Sequence, residues 1–542
     1  MIKDFYLTFL FVVLVSVNFF NGSASPLTLT VLPDSLGHSV PSNFVGLSFE
    51  ASQIGSTIQF NISDSSMIML LRQIGPGVIR IGGNSVDKDT MPFDSIRYDR
   101  FYSFVNKSGW KLMQGLTLGT FDTSKAIQVA ELAMSSIQTN LYTFEVGNEP
   151  DLFSKNGLRA ITYSLSDYES DFEAYENAIH EHLPNAPFSG PTTASSTSSW
   201  VVPFAEREAS NIVLLTQHYY AEGPAGDSTV TMAKLLSRAT KASLLKSMAL
   251  TYNAAQTAHV PARVSECNSV YNGGQKGLSD VFGASLWTSD FMFSLANGGI
   301  SGVNFHGGDT GNYTPIAVSL NGNVSVRPEY YGIMLFKYAA SGQFVRSMVS
   351  DTLANIGAYA LNCNNDSMRI VLINKDSSSA YEVTVTGTPF KGPASVIRLS
   401  APSLLSTTGL SLGGDSIGTV RAWAPSIFET IQHASNGYLV TLPAASAAVL
   451  TMKNQSLVKI PMQVAKSPVN IRVANGWLFI RASPAGHVRI ALFSVDGKAL
   501  VTKDMQSDGN QMQISLPAKT KSGVYILSVI IDDESEARMV LP

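Results

Sequence analysis

Charge and cysteine are both scarce in this chain. Of its 542 residues only 14% are charged, the formal net charge is -4, and there are just two cysteines, Cys267 and Cys363. No cluster of Lys and Arg interrupts this faintly acidic background, which argues against nucleic acid as a partner. The eight histidines are scattered without metal-ligand spacing, and the cysteines fit neither a zinc nor a C-x-x-C pattern. The expectation is a protein that needs no metal or organic cofactor and carries two buried free thiols in different domains. Beyond the N-terminus no apolar run is long enough to cross a bilayer, so no stable membrane span is expected in the mature chain.

What the chain does have is apolar bulk and length. Hydrophobic residues make up 45% of it, and 542 residues suit two or three domains. Lys3, the apolar run from Phe5 to Phe20 and the small residues Gly22-Ser23-Ala24 read as a secretory signal over residues 1–24, which predicts a secreted or cell-surface protein. Between residues 44 and 340, short apolar runs alternate with helical patterns. The strand candidates are Val45–Phe49, Val78–Ile81, Met113–Leu118, Tyr142–Val146, Phe188–Gly190, Ile212–His218, Ala262–Ser265 and Gly302–Phe305. Eight such runs predict an α/β fold, a (β/α)8 TIM barrel. From 341 to 455 helical periodicity fades into alternating strands, an antiparallel β-sandwich that the segment 25–43 is expected to join. Residues 464–542 read as a third, small β domain, with a hairpin turn at Val495-Asp496-Gly497-Lys498 and a polar loop from Asp504 to Asn510.

Two strand ends carry the chemistry. The fourth run ends in Gly147-Asn148-Glu149-Pro150, and the seventh leads into Glu266. On a closed barrel both ends face the same mouth, where active sites lie. A pair of carboxylates there is the equipment of a glycosidase, one to protonate the leaving oxygen and one to face the anomeric carbon. Repulsion from an ionised Glu266 would favour the protonated form of Glu149 until Glu266 is consumed.

These motifs resemble clan A glycoside hydrolases, and within them glycoside hydrolase family 79, the β-glucuronidase and heparanase family. The resemblance covers roughly residues 27 to 450. Glu149-Pro150-Asp151 resembles the acid/base motif. Ser265-Glu266 followed by Tyr271-Asn272-Gly273-Gly274 resembles the nucleophile and its Tyr-Gly-Gly loop. Gln217-His218-Tyr219-Tyr220 and Gly311-Asn312-Tyr313 resemble two further active-site stretches. The resemblance implies that Glu149 is the acid/base and Glu266 the nucleophile. It implies that Asn148 bonds the sugar 2-hydroxyl and that Tyr219 holds the nucleophile carboxylate. It also implies that Tyr271, Gly273 and Gly274 receive the C6 carboxylate of glucuronate, with Tyr313 closing the pocket. Of the adjacent Tyr219 and Tyr220 only one can face the pocket, and the family's pattern favours Tyr219. His218 reads as an internal hydrogen-bonding residue, and Glu50, ending the first strand, as a candidate for sugar hydroxyls.

The chain departs from the family where Gln217 replaces a frequent His and where Asn272 interrupts the glycine run. The absence of basic clusters fits release of terminal glucuronate or its 4-O-methyl ether better than heparanase-like cleavage within a sulfated polymer. A β-glycosidase acting on neutral sugars and a catalytically silent sugar-binding protein are the alternatives. The segments Gly486–Lys498 and Ser522–Leu527 resemble the type A C-terminal sorting domain of bacterial type IX secretion, which implies secretion machinery as a partner.

Overall fold

The computed structural model describes residues 24–363 and 367–453, and within the C-terminal portion the strands between residues 469 and 540. The signal segment up to residue 23 and the turn at 495–498 lie outside the described residues.

Apolar strands that are buried on both faces need cover on both faces, and alternation with amphipathic helices supplies it. Eight strands close into a parallel barrel: β2 (Val45–Glu50), β3 (Val78–Gly82), β4 (Lys111–Leu116), β5 (Leu141–Val146), β6 (Phe188–Thr193), β7 (Leu214–Glu222), β8 (Ala262–Val270) and β9 (Gly302–Gly307). The helices among and after them are α1 (Ser65–Ile74), α2 (Ser95–Ser108), α3 (Thr123–Ile137), α4 (Leu165–His180), α5 (Val202–Arg207), α6 (Met232–Leu235), α7 (Arg238–Thr257), α8 (Phe282–Asn297) and α9 (Pro328–Ala339). Local capping explains several starts. Asp64 accepts the Ser66 and Met67 amides, Asp122 accepts the Lys125 amide, and Ser164 with Asp167 forms a capping box. On α3 the face bearing Ala126, Val129 and Ala133 is buried, as the periodicity predicts. The largest difference from the sequence reading is β8, which runs on to Val270, so Glu266 lies within a strand rather than just beyond one.

The second layer begins with β1 (Ser25–Ser39) and continues with β12 (Gln343–Val349), β13 (Ile356–Asn362), β14 (Ser367–Asn374), β15 (Tyr381–Thr386), β16 (Ala394–Ser400), β19 (Tyr438–Leu442) and β20 (Ser446–Lys453). The short pieces are β10 (Ile316–Val318) and β11 (Val324–Val326), a hairpin after the barrel, and β17 (Ser411–Leu412) and β18 (Glu429–Ile431) at the sheet edge. β1 sits inside this sheet. It pairs antiparallel with β12 but parallel with β15, so the sheet is not antiparallel throughout as expected. Leu29, Val383, Ile370, Leu450 and Val440 meet in one apolar cluster between its faces.

The barrel and this sheet form one unit, which ends at Asn454. Helix α8 joins the two layers and is therefore buried on nearly every side, where an outer barrel helix would bury one stripe. Its Asp290 is the polar rivet. The carboxylate lies 2.8 Å from Lys241 on α7 and 2.7 Å from Lys375 just after β14, and it accepts the Tyr359 hydroxyl at 2.5 Å. Cys267 and Cys363 are both buried and free.

The C-terminal unit holds a three-stranded sheet, β21 (Val469–Ala474), β22 (Trp477–Ala482) and β25 (Gln511–Ser515), and a four-stranded one, β24 (Ala499–Ser507), β23 (Gly486–Ser494), β26 (Tyr525–Ile531) and β27 (Glu534–Val540). All their pairings are antiparallel. Asp504 to Ser507, read as loop from their polarity, belong to β24. Cross-strand pairing satisfies them, with Arg489 donating to Asp504 at 2.8 Å.

Asp290 gives a stability prediction. Burial opposes its ionisation, but Lys241 and Lys375 outweigh burial and hold its carboxyl well below the ordinary range. Its contribution is therefore complete above about pH 4 and is lost as pH falls through the depressed value. Asp290→Asn leaves two ammonium groups without their counter-ion and should cost about 3–5 kcal/mol in urea unfolding at neutral pH. The deficit should narrow in strong acid; a pH-independent deficit would refute the ionic account.

Candidate active site

Glu149 and Glu266 reach the barrel mouth by different routes. Glu149 lies just beyond β5 with a left-handed backbone (φ 53°, ψ 53°), unusual for a residue with a side chain. Its amide is held by the Thr192 carbonyl at 3.1 Å, and its carboxylate lies 3.0 Å from Nδ1 of His218. Glu266 owes its direction to a bulge. Gln217 pairs with Val264 and His218 with Glu266, so Ser265 is left over and the strand turns. One oxygen of each carboxylate and a His218 nitrogen all lie within 4.8 Å of one another.

Beneath this pair sits Arg80, at the centre of β3 and fully buried. Its Nε donates to Glu145 at 2.5 Å, its Nη1 to Glu266 at 2.7 Å and Ser48 at 3.1 Å, and its Nη2 to Asn148 at 3.0 Å. The other Glu266 oxygen accepts the Tyr220 hydroxyl at 2.8 Å. Burial alone would raise the Glu266 pKa. The charges of His306, His218 and Arg80 and the Tyr220 bond reverse that and hold it far below the usual carboxylate range. Glu266 is therefore an anion at neutral pH, with both oxygens oriented.

His306, on β9, links Glu266 to Glu50. Its Nδ1 lies 3.0 Å from the Ser48 hydroxyl and 3.6 Å from Glu266, and its Nε2 lies 3.6 Å from Glu50. Burial disfavours a charged imidazole, yet the two carboxylates win and raise its pKa. Glu50 also accepts the Ser85 amide at 2.9 Å, which explains Gly83: a Cβ there would lie 2.5 Å from the Glu50 carboxyl carbon. Asp87 does similar work one strand over. It accepts the amides of Leu118, Gly119 and Asn148, the last at 2.7 Å, while burial pushes its carboxyl up to about 6.

The two loops after β8 and β9 meet at the mouth. Asn272, Gly273 and Gly274 all have left-handed backbones (φ 65°, 85° and 77°). Asn312 fixes them: its amide donates to the Gly273 carbonyl and its side chain to the Gly274 carbonyl, each at 3.0 Å. A Cβ on Gly274 would lie 2.8 Å from the Tyr313 amide. Burial and the nearby Glu266 charge raise the Tyr313 hydroxyl pKa, and the Tyr313 ring lies 6.3 Å from that of Tyr220. The Tyr271 ring packs edge-on against Tyr220 at 6.1 Å and is 40% exposed, at the entrance.

Tyr219 is the misassigned residue. Side chains alternate along β7, so His218 and Tyr220 face the mouth while Gln217 and Tyr219 face the helices. Tyr219 stacks on Phe291 of α8 at 5.9 Å, and Tyr220 holds Glu266. The alternation was legible, since His218 and Tyr220 share parity. Arg80, Glu145 and His306 were missed entirely. Their signal was a charged residue inside an otherwise apolar strand, which burial tolerates only with a partner. Glu149, His218 and Glu266 have the spacing of a metal triad, but Arg80 and Tyr220 already occupy both Glu266 oxygens and His218 Nδ1 faces Glu149.

A carboxylate pair at the C-terminal mouth of a parallel barrel, one member kept ionised, is the site of a glycoside hydrolase. Residues 98–292 match the N-terminal domain of glycosyl hydrolase family 79. A β-glucuronidase of Aspergillus niger is 27% identical over 412 residues, 65% of this chain and 75% of that protein. One of Neurospora crassa is 26% identical over 332 residues, 54% of this chain and 58% of that protein. Among solved structures, a 4-O-α-L-rhamnosyl-β-D-glucuronidase of Fusarium oxysporum superposes with a TM-score of 0.65 at 21% identity, covering 78% of this chain and all of that one. A family 51 α-L-arabinofuranosidase of Bifidobacterium longum gives 0.61 at 15% identity, covering 79% of this chain and all of that one. These two likenesses establish the fold. With the family match over residues 98–292 and the two relatives, the chain is a β-glucuronidase-type glycoside hydrolase.

Two outcomes follow from the geometry. Tyr220→Phe should lower kcat about tenfold or more by releasing one Glu266 oxygen, whereas Tyr219→Phe should stay within about twofold; steady-state kinetics decide, and the reverse order would restore the family-based assignment. His306, with its raised pKa, contributes stability that is complete below its ordinary value of about 6.5 and is lost as pH rises through the raised one. Glu50→Gln removes one of its carboxylate partners and should move that loss to lower pH in urea unfolding. An unchanged pH dependence would show that Glu50 does not hold the charge.

Proposed function

We propose that this protein is a secreted, retaining exo-β-glucuronidase that releases terminal glucuronate, or its 4-O-methyl ether, from glycans or glycosides. The observation that carries the retaining reading is the approach of Glu149 and Glu266 oxygens to within 4.8 Å. Retaining enzymes hold their carboxyl groups about 5 Å apart, and inverting ones leave a wider gap, about 6.5–9.5 Å, for water. Glu266 attacks the anomeric carbon while Glu149 gives its proton to the departing glycosidic oxygen. The bond to the aglycone breaks as the Glu266 ester forms. Glu149, now a carboxylate, takes a proton from water, which cleaves the ester and restores both groups with the anomeric configuration kept. Arg80 and Tyr220 orient the attacking carboxylate, and Asn148 is positioned beside Glu149 for the sugar 2-hydroxyl.

The substrate carboxylate enters where Tyr271, Gly273, Gly274 and Tyr313 converge. Backbone N–H groups of a left-handed stretch and phenolic hydroxyls can receive an anion without a free cation. The names of the two curated relatives support glucuronate as that anion. We also infer export by the N-terminal signal and sorting by the C-terminal unit; loss of secretion on deleting residues from Val464 onward would support the latter.

Glu149→Gln and Glu266→Gln should each lower kcat on an aryl β-glucuronide by about 10³-fold or more. Proton NMR of the first-formed sugar should show the β-anomer. Near-normal turnover by either variant, or α-product, would overturn the mechanism, and preference for aryl glucosides or xylosides would overturn the substrate.

A further inference from the structure

Two residues beyond Glu266 on β8, Asn268 joins parts of the molecule that the mechanism treats separately. Its Nδ2 donates to the backbone carbonyls of His306 at 3.0 Å and Tyr313 at 3.1 Å, and lies 3.3 Å from Glu329 Oε2. Its Oδ1 accepts the Ser269 amide at 2.6 Å and lies 3.2 Å from the Ser269 hydroxyl. That hydroxyl donates to Ser279 Oγ at 2.9 Å, which also accepts the amide of Gln275 at 3.0 Å. Gln275 directly follows Gly274. Asn268 and its neighbour Ser269 thus tie β9 and the Tyr313 loop on one side to the Gly273-Gly274 loop on the other.

Each link is buried. Asn268, Ser269, Ser279 and Glu329 are all at most 2% exposed. Glu329, on the first turn of α9, has no cation partner among the described residues, and its Oε1 has no hydrogen-bond partner. Burial pushes its carboxyl well above the ordinary range. It is therefore a neutral acid whose Oε2 can share an Asn268 N–H with one of the two carbonyls, without bringing a second anion close to Glu266.

We propose that Asn268 is a positioning residue for recognition of an acidic sugar, locking the two mouth loops into one frame, and that Glu329 holds the Asn268 amide in place. The inference rests on the reading of those loops as the carboxylate pocket. It concerns binding of the sugar anion, not bond cleavage, because Asn268 touches neither Glu149 nor Glu266.

The experiment measures kcat and KM on an aryl β-glucuronide and the inhibition constant of free glucuronate, with melting temperatures recorded alongside. Asn268→Asp keeps the shape, loses the Nδ2 donor and sets an anion against two carbonyls. It should raise KM and the glucuronate constant together by about tenfold or more, with kcat within about threefold. Ser279→Ala, which cuts only the far tie and leaves the amide in place, should raise both by about threefold. Glu329→Gln preserves a neutral acceptor and should stay within about twofold of the parent, whereas Glu329→Leu should resemble Asn268→Asp. A fall in kcat with KM and the inhibition constant unchanged would overturn the proposal. So would a Glu329→Gln variant as damaged as Glu329→Leu. If the Asn268 variant does not fold, Ser279→Ala decides alone, and parent-like constants there overturn the frame. A parent enzyme that neither cleaves the glucuronide nor is inhibited by glucuronate would instead fail the reading beneath, independently of any variant.

Discussion

The buried guanidinium of Arg80 is held between two carboxylates, Glu145 and Glu266, with Ser48 and Asn148 accepting from two more of its N–H groups. A cation with no access to water is tolerable only when opposite charge and hydrogen bonds replace its hydration. Arg80 stands on β3 and its partners come from β2, β8, and β5 with the turn after it, so they meet only when the barrel closes. Closure of the fold and assembly of the charges around Glu266 are one event. The same arrangement keeps Glu266 ionised although buried, because Arg80, His306 and His218 surround it with positive charge. Glu145 absorbs part of the Arg80 charge, so Glu266 is not locked in a closed pair.

Around that centre, chemistry and support are divided by the direction in which side chains point. On β7 alternate residues serve different masters. His218 and Tyr220 touch Glu149 and Glu266, while Gln217 and Tyr219 knit the strand to α7 and α8. Carboxylates recur as structural acceptors: Asp87 gathers amides from two strand ends, and Glu50 takes the Ser85 amide. Each fixes a loop by bonding backbone, which leaves the side chains of that loop free for substrate. Asp290 performs the equivalent task between layers, joining α8 to α7 and the sheet.

Most of the barrel was legible because each strand is a short apolar run and each helix a periodic one. Glu149 and Glu266 were legible because a glutamate at the end of an apolar strand has few structural excuses. The extent of β8 was not, since Asn268 and Ser269 look like loop residues until their polar groups are seen to be satisfied inside the fold. The parallel place of β1 beside β15 was also beyond reach, because a lone strand carries no record of its neighbours. The pattern of the family favours Tyr219 over Tyr220, although alternation from His218 points the other way.

Composition, periodicity and the two strand-end glutamates by themselves determined a barrel, a sheet domain and a carboxylate chemistry. These are properties of local patterns, and local patterns survive in a linear string. Only the tertiary structure decided which charges meet. Arg80 and Glu145 are 65 positions apart, and Arg80 and Glu266 are 186 apart. Their pairing exists because a closed ring of strands brings distant residues to one axis, where the low dielectric makes each charge depend on the others.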